Sequence, residues 1–452
     1  MKTSGMIPEQ QAKQWLAAAE AEAASLGVKD VELILSHGAS ALTRFANNTI
    51  HQNVASQATQ CSVRVIHDGR TARASTNRLD PDSIRRVTAQ AVSLARASEA
   101  DEHLPSLIEP ASIAPVNRWA EATAVSSPKQ RAEAVRDGIR WIEDAGQIAS
   151  GIFSADAGHE LLLNSNGVLL DHRETLARFS VTATAGDSSG WAKASAVNLD
   201  DLNPGMLATQ AMEKARASAS PHELAPGPYT VVLEPAAVLD LVGQIFGDFS
   251  AASITEGRSF LCGRLGSKLF GGNITIVDDC RHPHQAGAPF DGEGAPRRKL
   301  MLVEQGVPRE VARSRSSALR DGGSPTGHGL PLPNEAGEAV TNIVIEGGQH
   351  SVEEMIRFTK RGLLITRLWY IREVEPFAKV MTGMTRDGTF LIEDGQIVRG
   401  VRNFRFNQSV VELLNNVEML GPTMRTSGEE TFDMVVPAMK VNDFHFTEVT
   451  KF

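Results

Sequence analysis

Apolar residues recur along the first half of this chain at two spacings, one typical of helices and one typical of strands. Ala-rich helix formers lie between Pro8 and Gly27, and apolar residues at helical spacing follow Asp80. Proline suits a first helical turn, aspartate suits an N-cap and glycine suits a helix end, so two helices are predicted. Between them, alternating runs predict strands, and the run 41–53 is predicted to be one continuous strand.

Dipeptides ending in glycine mark the expected hairpin turns. Asp68-Gly69 and Asn166-Gly167 each separate two strand-like runs, and Asp394-Gly395 does so in the second half. These pairs favour tight hairpins because glycine adopts positive φ without steric cost. A further helix is predicted to begin at Ser351, since Glu354 completes a capping box, and to end at Gly362.

The segment 220–229, "SPHELAPGPY", contains three prolines and separates two differently patterned halves. A chain of 452 residues is longer than one hydrophobic core normally serves. We therefore predict two domains within an α+β fold. Residues 1–222 would form an N-terminal domain of antiparallel strands with helices, and residues 223–452 a β-rich C-terminal domain.

Composition excludes several classes of protein. A net charge of −9 is the wrong sign for a broad nucleic-acid surface. No apolar run approaches the length of a membrane helix, and the first 15 residues lack the apolar stretch of a secretion signal. The three cysteines are far apart and form no C-x-x-C pair, which argues against a disulfide framework and favours the cytoplasm.

A possible metal site lies in the motif "CRHPHQAG", which brings Cys280, His282 and His284 close together in sequence. Their spacing fits no standard zinc motif, and no second cysteine pair accompanies them. We favour an exposed polar loop as the interpretation of this stretch.

A second group of candidate residues lies in two glycine-rich loops. Asp291 and Glu293 are paired acids that suit acid–base chemistry or cation binding, while Thr326 and His328 lie in "GGSPTGHG". The second loop lacks the phosphate-loop pattern, and no local signature links a serine nucleophile to these residues. Structured turns remain the more common use of such stretches.

The segment 241–249, "LVGQIFGDF", follows a strand-like run and carries no His or Cys and one carboxylate, Asp248. Its apolar residues recur at helical spacing, which predicts a helix packed on a core. The spaced residues are Leu241, Val242, Ile245 and Phe249, together with Val238 just before the segment.

Several motifs, in order along nearly the whole chain, resemble the TldD/PmbA family, once called modulators of DNA gyrase. They include "RFANNTIHQN", "SVRVIHDGR", "NSNGV", "EGRSFL", "FDGEGAPRR", "LVEQGV", "SPTGHG", "VEEMIRFTKRGLLITRLWYIR", "GTFLIEDGQIVRGVRNFRFNQS" and "LLNNVEMLG". In this family a TldD-type subunit carries a helical H-E-x-x-x-H and a later cysteine. The resemblance implies that two histidines and a thiolate hold zinc there while the glutamate activates water.

Carried onto this chain, the two histidine positions fall at Leu241 and Phe246, the glutamate at Val242 and the cysteine at Ser427. All four metal-site residues are therefore replaced. The chain resembles the TldE/PmbA-type subunit, which lacks the zinc motif, so the resemblance implies no catalytic residues and no metal here.

The resemblance implies a cytoplasmic heteromer in which a TldD-type partner holds zinc and cleaves unfolded peptides. Family roles include peptide maturation and antitoxin degradation, and an exposed sheet edge would suit peptide binding by strand addition. The chain alone could form a homodimer. Two alternatives stay open: an independent hydrolase using Asp291, Glu293 and His328, and a stand-alone peptide-binding or scaffold protein. The peptide-binding residues are not predicted.

Overall fold

The computed structural model describes residues 6–450. It combines helices and antiparallel strands in its first half with a β-rich second half, which confirms the predicted fold class. Residues 1–5, at the start of the segment examined for a secretion signal, lie outside the described residues. No helix between residues 6 and 450 is long and apolar enough to cross a membrane.

The first half contains five helices and six strands among the described residues. The helices are α1 Glu9–Ser25, α2 Pro81–Ala97, α3 Glu121–Ala124, α4 Pro128–Asp144 and α5 Pro204–Ala217. The strands are β1 Asp30–Ala46, β2 Thr49–His67, β3 Arg70–Thr76, β4 Ile148–Asn164, β5 Leu169–Ala185 and β6 Ser188–Ala196.

These six strands form one antiparallel sheet in the order β3-β2-β1-β4-β5-β6. Helices α1, α2, α4 and α5 pack on the same face of the sheet, where alternate strand residues such as Leu33 and Phe179 are buried. The other face is polar and meets the second half. There Arg73 donates a hydrogen bond to the Leu332 carbonyl, and Arg178 pairs with Asp433.

Local sequence signals explain most boundaries in this half. Asp80 caps α2 by accepting a hydrogen bond from the Ser83 amide, and Asp68 and Gly69 have positive φ in the turn between β2 and β3. The prediction of one strand over 41–53 is wrong. Asn47 and Asn48 both adopt positive φ and divide the run into β1 and β2, because asparagine tolerates this conformation better than other residues with a Cβ.

The second half contains thirteen strands and five helices among the described residues. The strands are β7 Gly227–Leu233, β8 Ile276–Asp278, β9 Leu300–Glu304, β10 Val307–Pro308, β11 Ile343–Ile345, β12 Arg361–Glu375, β13 Val380–Glu393, β14 Gln396–Gly400, β15 Phe404–Ser409, β16 Val417–Leu420, β17 Met424–Thr426, β18 Met434–Val436 and β19 Met439–Val449. The helices are α6 Pro235–Val242, α7 Ala251–Thr255, α8 Arg315–Asp321, α9 Val352–Arg357 and α10 Val410–Asn415.

Two sheets organise this half. One has the order β10-β9-β8-β11-β18-β17. The other has the order β12-β7-β19-β15-β13-β14, and β12 also pairs with β13, so its first five strands close into a ring. Helix α6 connects β7 to the core between the sheets, which is the largest apolar cluster among the described residues.

The capping box of α9 is confirmed, since the Ser351 and Glu354 side chains each accept a hydrogen bond from the other residue's backbone amide. The predicted end at Gly362 is wrong. The helix ends at Arg357, and Gly362 lies in β12, where a Cβ would come 2.4 Å from the Thr230 carbonyl oxygen. Glycine at this position permits close approach of two strands rather than a helix end.

The Asp394-Gly395 turn joins β13 to β14 with both residues at positive φ, as the dipeptide predicts. The division into residues 1–222 and 223–452 stays a proposal. It is compatible with the partition of strands, because no strand pairing within residues 6–450 joins the first sheet to the other two.

Candidate functional site

The segment that follows β7 starts as an α-helix and continues as a more tightly wound 3₁₀-helix. Pro235 opens α6, the helix ends at Val242, and Gly243–Asp248 continue as a 3₁₀-helix. The prediction of a helix is therefore right in its first part only. A Cβ on Gly243 would lie 2.7 Å from the Thr431 hydroxyl, so this close approach requires glycine at the point of change.

The three apolar positions singled out by the sequence lie inside the core. Leu241 and Val242 are 0% exposed and Phe246 is 3% exposed, and all three belong to the apolar cluster between the two C-terminal sheets. Phe246 also lies 6.1 Å from the ring of Phe249, centroid to centroid. Dispersion contacts and exclusion of water hold this segment in place.

Ser427, the fourth position, lies in the turn after β17 and is also buried. Its hydroxyl donates a hydrogen bond of 2.6 Å to Asp433 Oδ1. The same carboxylate pairs with Arg425 at 3.1 Å and with Arg178 of β5 at 3.4 Å. Ser427 therefore belongs to a polar network that ties the turn to the first sheet.

Asp240 connects α6 to this turn. Its Oδ1 accepts hydrogen bonds of 3.0 Å from the amides of Glu429 and Glu430. Burial raises the pKa of Asp240 to about 6, although these two hydrogen bonds favour the ionised form. A Cβ on Gly428 would lie 2.2 Å from the same oxygen, so the turn fits against α6 only with glycine there.

Asp248, the one carboxylate of the segment, belongs to a buried ion pair. Lys379 Nζ lies 2.6 Å from Asp248 Oδ2 and 2.6 Å from Glu373 Oε1. The Phe260 amide donates to the other oxygen of Asp248. Lys379 lies beside the tip of the β12–β13 hairpin, so this pair fastens that hairpin to the end of the 3₁₀-helix. Sequence analysis missed the pair.

The rings of His282 and His284 lie 5.5 Å apart, centroid to centroid, but the loop that carries them and Cys280 makes a structural contact. Arg118 donates hydrogen bonds to the carbonyls of Cys280 and His282. Burial, and then the neighbouring His284, lower the pKa of His282. Cys280 is buried, which corrects the interpretation of the whole stretch as exposed. Within residues 6–450, no three His, Cys, Asp or Glu side chains are placed to hold a metal ion.

Asp291 and Glu293 support the backbone of their loops. Asp291 accepts hydrogen bonds from the amides of Glu293, Ala295 and Gly329, and Glu293 Oε2 accepts one from the Arg315 amide. Burial, and then the Asp291 charge, raise the pKa of Glu293 to about 7. Both carboxylates are almost wholly buried, so no substrate has access to them in this structure.

His328 pairs with Asp278 and not with either of those acids. Its Nε2 lies 3.1 Å from Asp278 Oδ1, and its Nδ1 lies 3.0 Å from the Thr326 hydroxyl. This order of groups is similar to a hydroxyl-histidine-carboxylate triad, but each residue is about 1% exposed. The Thr326 hydroxyl also accepts a hydrogen bond from the Arg313 amide and donates one to the Arg313 carbonyl. The group therefore stabilises the loop.

An open sheet edge is the exposed feature best suited to binding an extended chain. Strand β3 pairs with β2 only from Cys61 onward, so Thr49–Gln60 pair with β1 alone among the described residues. All their side chains are exposed except Ile50 and Thr59, which are half-buried. The unpaired backbone groups of such an edge can pair with another strand.

Comparison with known sequences decides the family. Residues 226–448 match the PmbA/TldA metallopeptidase C-terminal domain, residues 31–95 match domain 1, and residues 120–219 match the central domain. The chain belongs to the PmbA/TldD metallopeptidase family. Three successive family domains thus account for most of the sequence.

Individual relatives agree with this assignment. The Metalloprotease PmbA of Escherichia coli O157:H7 is 24% identical over 405 residues, which is 84% of each protein. An uncharacterized protein of Methanocaldococcus jannaschii is 28% identical over 217 residues, 46% of this chain and 50% of that protein. The chain thus spans about half the length of this last relative.

Two solved structures of the PmbA/TldD type have the same fold. TldE of Thermococcus kodakarensis superposes with a TM-score of 0.87 at 21% identity, covering 97% of this chain and 100% of that one. A modulator of DNA gyrase from Thermotoga maritima MSB8 gives a TM-score of 0.87 at 20% identity, covering 96% and 100%.

Zinc is implied by the family, since a relative in Saccharolobus solfataricus is named a zinc metalloprotease TldD homolog. The four positions that the family resemblance assigns to the metal do not fit it. The side chains of Leu241, Val242 and Phe246 contain no atom that can coordinate a metal. The Ser427 hydroxyl donates a hydrogen bond to Asp433. A stable zinc site needs three or four nitrogen, sulfur or carboxylate ligands.

Proposed function

We propose that this chain is a TldE/PmbA-type, non-catalytic subunit of a heteromeric zinc metalloprotease that acts on unfolded peptides in the cytoplasm. Zinc and the water-activating glutamate would belong to a TldD-type partner. The observation that carries the proposal is the state of positions 241, 242, 246 and 427. Three are buried apolar side chains, and the fourth is a hydrogen-bonded serine.

The contribution of this chain would be to hold the peptide. The open edge Thr49–Gln60 offers backbone donors and acceptors along twelve residues of strand. Strand addition recognises backbone groups, so it accepts many sequences but only chains that are locally extended. This property suits unfolded peptides and excludes folded proteins.

No observation favours the independent hydrolase, because Asp291, Glu293 and His328 are buried and each is hydrogen-bonded to a neighbouring residue. The stand-alone binding protein differs from the proposed subunit in having no peptidase partner. A neighbouring gene that encodes an H-E-x-x-x-H paralogue would favour the subunit.

We expect the purified chain alone to leave an unstructured fluorogenic peptide intact and the chain mixed with its TldD-type partner to support cleavage. The physical reason is that this chain has no metal ligands at the family's metal positions. The measurement is the initial rate of cleavage for each subunit and for the mixture, with and without a chelator.

The matched control is the same mixture in which the glutamate of the partner's H-E-x-x-x-H motif is replaced by glutamine. It should lose cleavage while the two chains still copurify. Chelator-sensitive cleavage by this chain alone, in a preparation free of the partner, would contradict the proposal.

A further inference from the structure

A cavity of about 420 Å³ lies on the polar face of the first sheet, where Ala288 of the second half closes one side. This volume is in the range of small-ligand pockets. It is lined by Ser36, His37, Gly38, Ala58, Gln60, Gly158, His159, Glu160, His172, Glu174 and Ala288.

The absence of bulky side chains on three adjacent strands creates the space. Gly38 of β1 is in register with Ala58 of β2 and with Gly158 of β4. These three residues face the same side of the sheet, because paired residues of neighbouring strands share a face. A single methyl group is thus the largest side chain in this row.

The next row in register is polar. Ser36 is paired with Gln60 on one side and with Glu160 on the other, and Glu160 is paired with His172. All four side chains therefore face the cavity side of the sheet. Within residues 6–450, the side chains of Ser36, Gln60 and Glu160 form no hydrogen bond or ion pair. They are available to a ligand.

Glu160 is a desolvated carboxylate that no side chain within residues 6–450 reaches with a hydrogen bond or an ion pair. Burial, and then the charge of Glu174, raise the pKa of Glu160, while His172 and Arg297 lower it. The contact of His172 is with the other carboxylate, since its Nε2 lies 3.4 Å from Glu174 Oε2. A charge in this setting is stabilised by a counter-ion that brings hydrogen-bond donors.

We propose that this cavity binds a primary ammonium group, the side chain of a lysine in an extended peptide, with Glu160 as its counter-ion and Ser36 and Gln60 as further acceptors. A divalent metal fits less well, because the described residues place no three ligand side chains together. The open edge ends at Gln60, so a peptide paired there would pass the cavity.

This inference rests on the proposed function for the source of the lysine, a peptide, but not for the binding of the amine. The two are therefore tested separately. Binding is measured on the purified chain alone with Nα-acetyl-lysine methylamide, by the shift of the Ala58 and Ala288 methyl NMR signals. The uncharged norleucine analogue, which has the same carbon chain, is the matched ligand.

We expect saturable shifts with the lysine compound and at least tenfold weaker binding of the norleucine compound. Glu160→Gln should weaken lysine binding at least tenfold, and Ala288→Leu should abolish it by filling the space. Glu353→Gln removes an exposed carboxylate elsewhere and should leave binding unchanged. Circular dichroism and the thermal midpoint establish that each variant is folded.

Equal binding of the two compounds, or lysine binding unaffected by both cavity variants, would overturn the inference. Zinc or calcium binding that Glu160→Gln removes would overturn it as well, since the site would then be a metal site. If the mixture with the TldD-type partner does not cleave peptides while this chain still binds the lysine compound, the proposed function is contradicted. The amine site would remain supported.

Discussion

The combined variant Leu241→His, Val242→Glu, Phe246→His and Ser427→Cys is expected to be inactive and severely destabilised, although it introduces the residue types that the family resemblance assigns to a metal site at these positions. Three of the changes replace apolar side chains that lie in the central core of the second half. Losing one large buried apolar side chain costs about 2–5 kcal/mol, and a buried unpaired carboxylate adds to that.

The fourth change removes the hydroxyl that bonds Asp433. The summed cost approaches the entire stability of a typical domain, about 5–15 kcal/mol. Zinc would offset part of the loss only if the four new side chains converged on one point. The four changes also add no partner that would accept a hydrogen bond from the second ring nitrogen of each histidine and so orient it. The measurements are the denaturant midpoint, bound zinc and peptide cleavage.

A matched control makes the three apolar-to-polar changes on the surface instead. Leu319→His, Val398→Glu and Phe358→His alter side chains that are 54%, 43% and 54% exposed. Surface substitutions usually change stability by about 0.5 kcal/mol or less each, so this variant should stay folded. A soluble quadruple variant that binds one zinc ion and cleaves peptides would contradict the packing argument.

Lys379→Met is expected to lower the free energy of unfolding by about 3–5 kcal/mol, the usual cost of leaving one partner of a buried ion pair without its counter-charge. Lys379 and Asp248 are both buried, and burial already raises the pKa of Asp248. The hairpin tip would lose its attachment to the 3₁₀-helix. Chemical denaturation at neutral pH measures the loss.

Two controls identify the ion pair as the cause. Asp248→Asn combined with Lys379→Met should recover a large part of the lost stability, because no buried charge is then unpaired. Lys13→Met breaks an exposed pair with Glu9 and should cost no more than about 1 kcal/mol. A Lys379→Met midpoint equal to that of the unmodified chain would show that the pair does not hold the hairpin.

Elements with a local cause could be predicted from the sequence. Asp80 and Ser351 cap helices through residues three positions away, and Asp394-Gly395 forms a turn whose geometry depends only on those residues. The prediction that Gly362 ends a helix is wrong because the requirement for glycine at this position comes from a distant part of the chain. The strand that contains it lies against β7, more than a hundred residues earlier in the chain.

At the candidate site, too, features with a local cause could be predicted and features with a non-local cause could not. Helical spacing predicted burial of Leu241 and Val242, since one amphipathic pattern within a few residues is enough for that inference. The partner of Asp248 could not be predicted from the sequence, because Lys379 lies 131 residues away along the chain. The burial of His328 was also beyond the sequence, because Asp278 and the loops around it come from separate segments.

We expect this chain to carry no catalytic zinc, and the most direct test is the zinc content of the chain purified without chelators or affinity metals. Elemental analysis alongside protein quantification should give far less than one zinc ion per chain, because positions 241, 242, 246 and 427 offer only three buried apolar side chains and one bonded hydroxyl. One zinc ion per chain, retained after dialysis, would contradict the account.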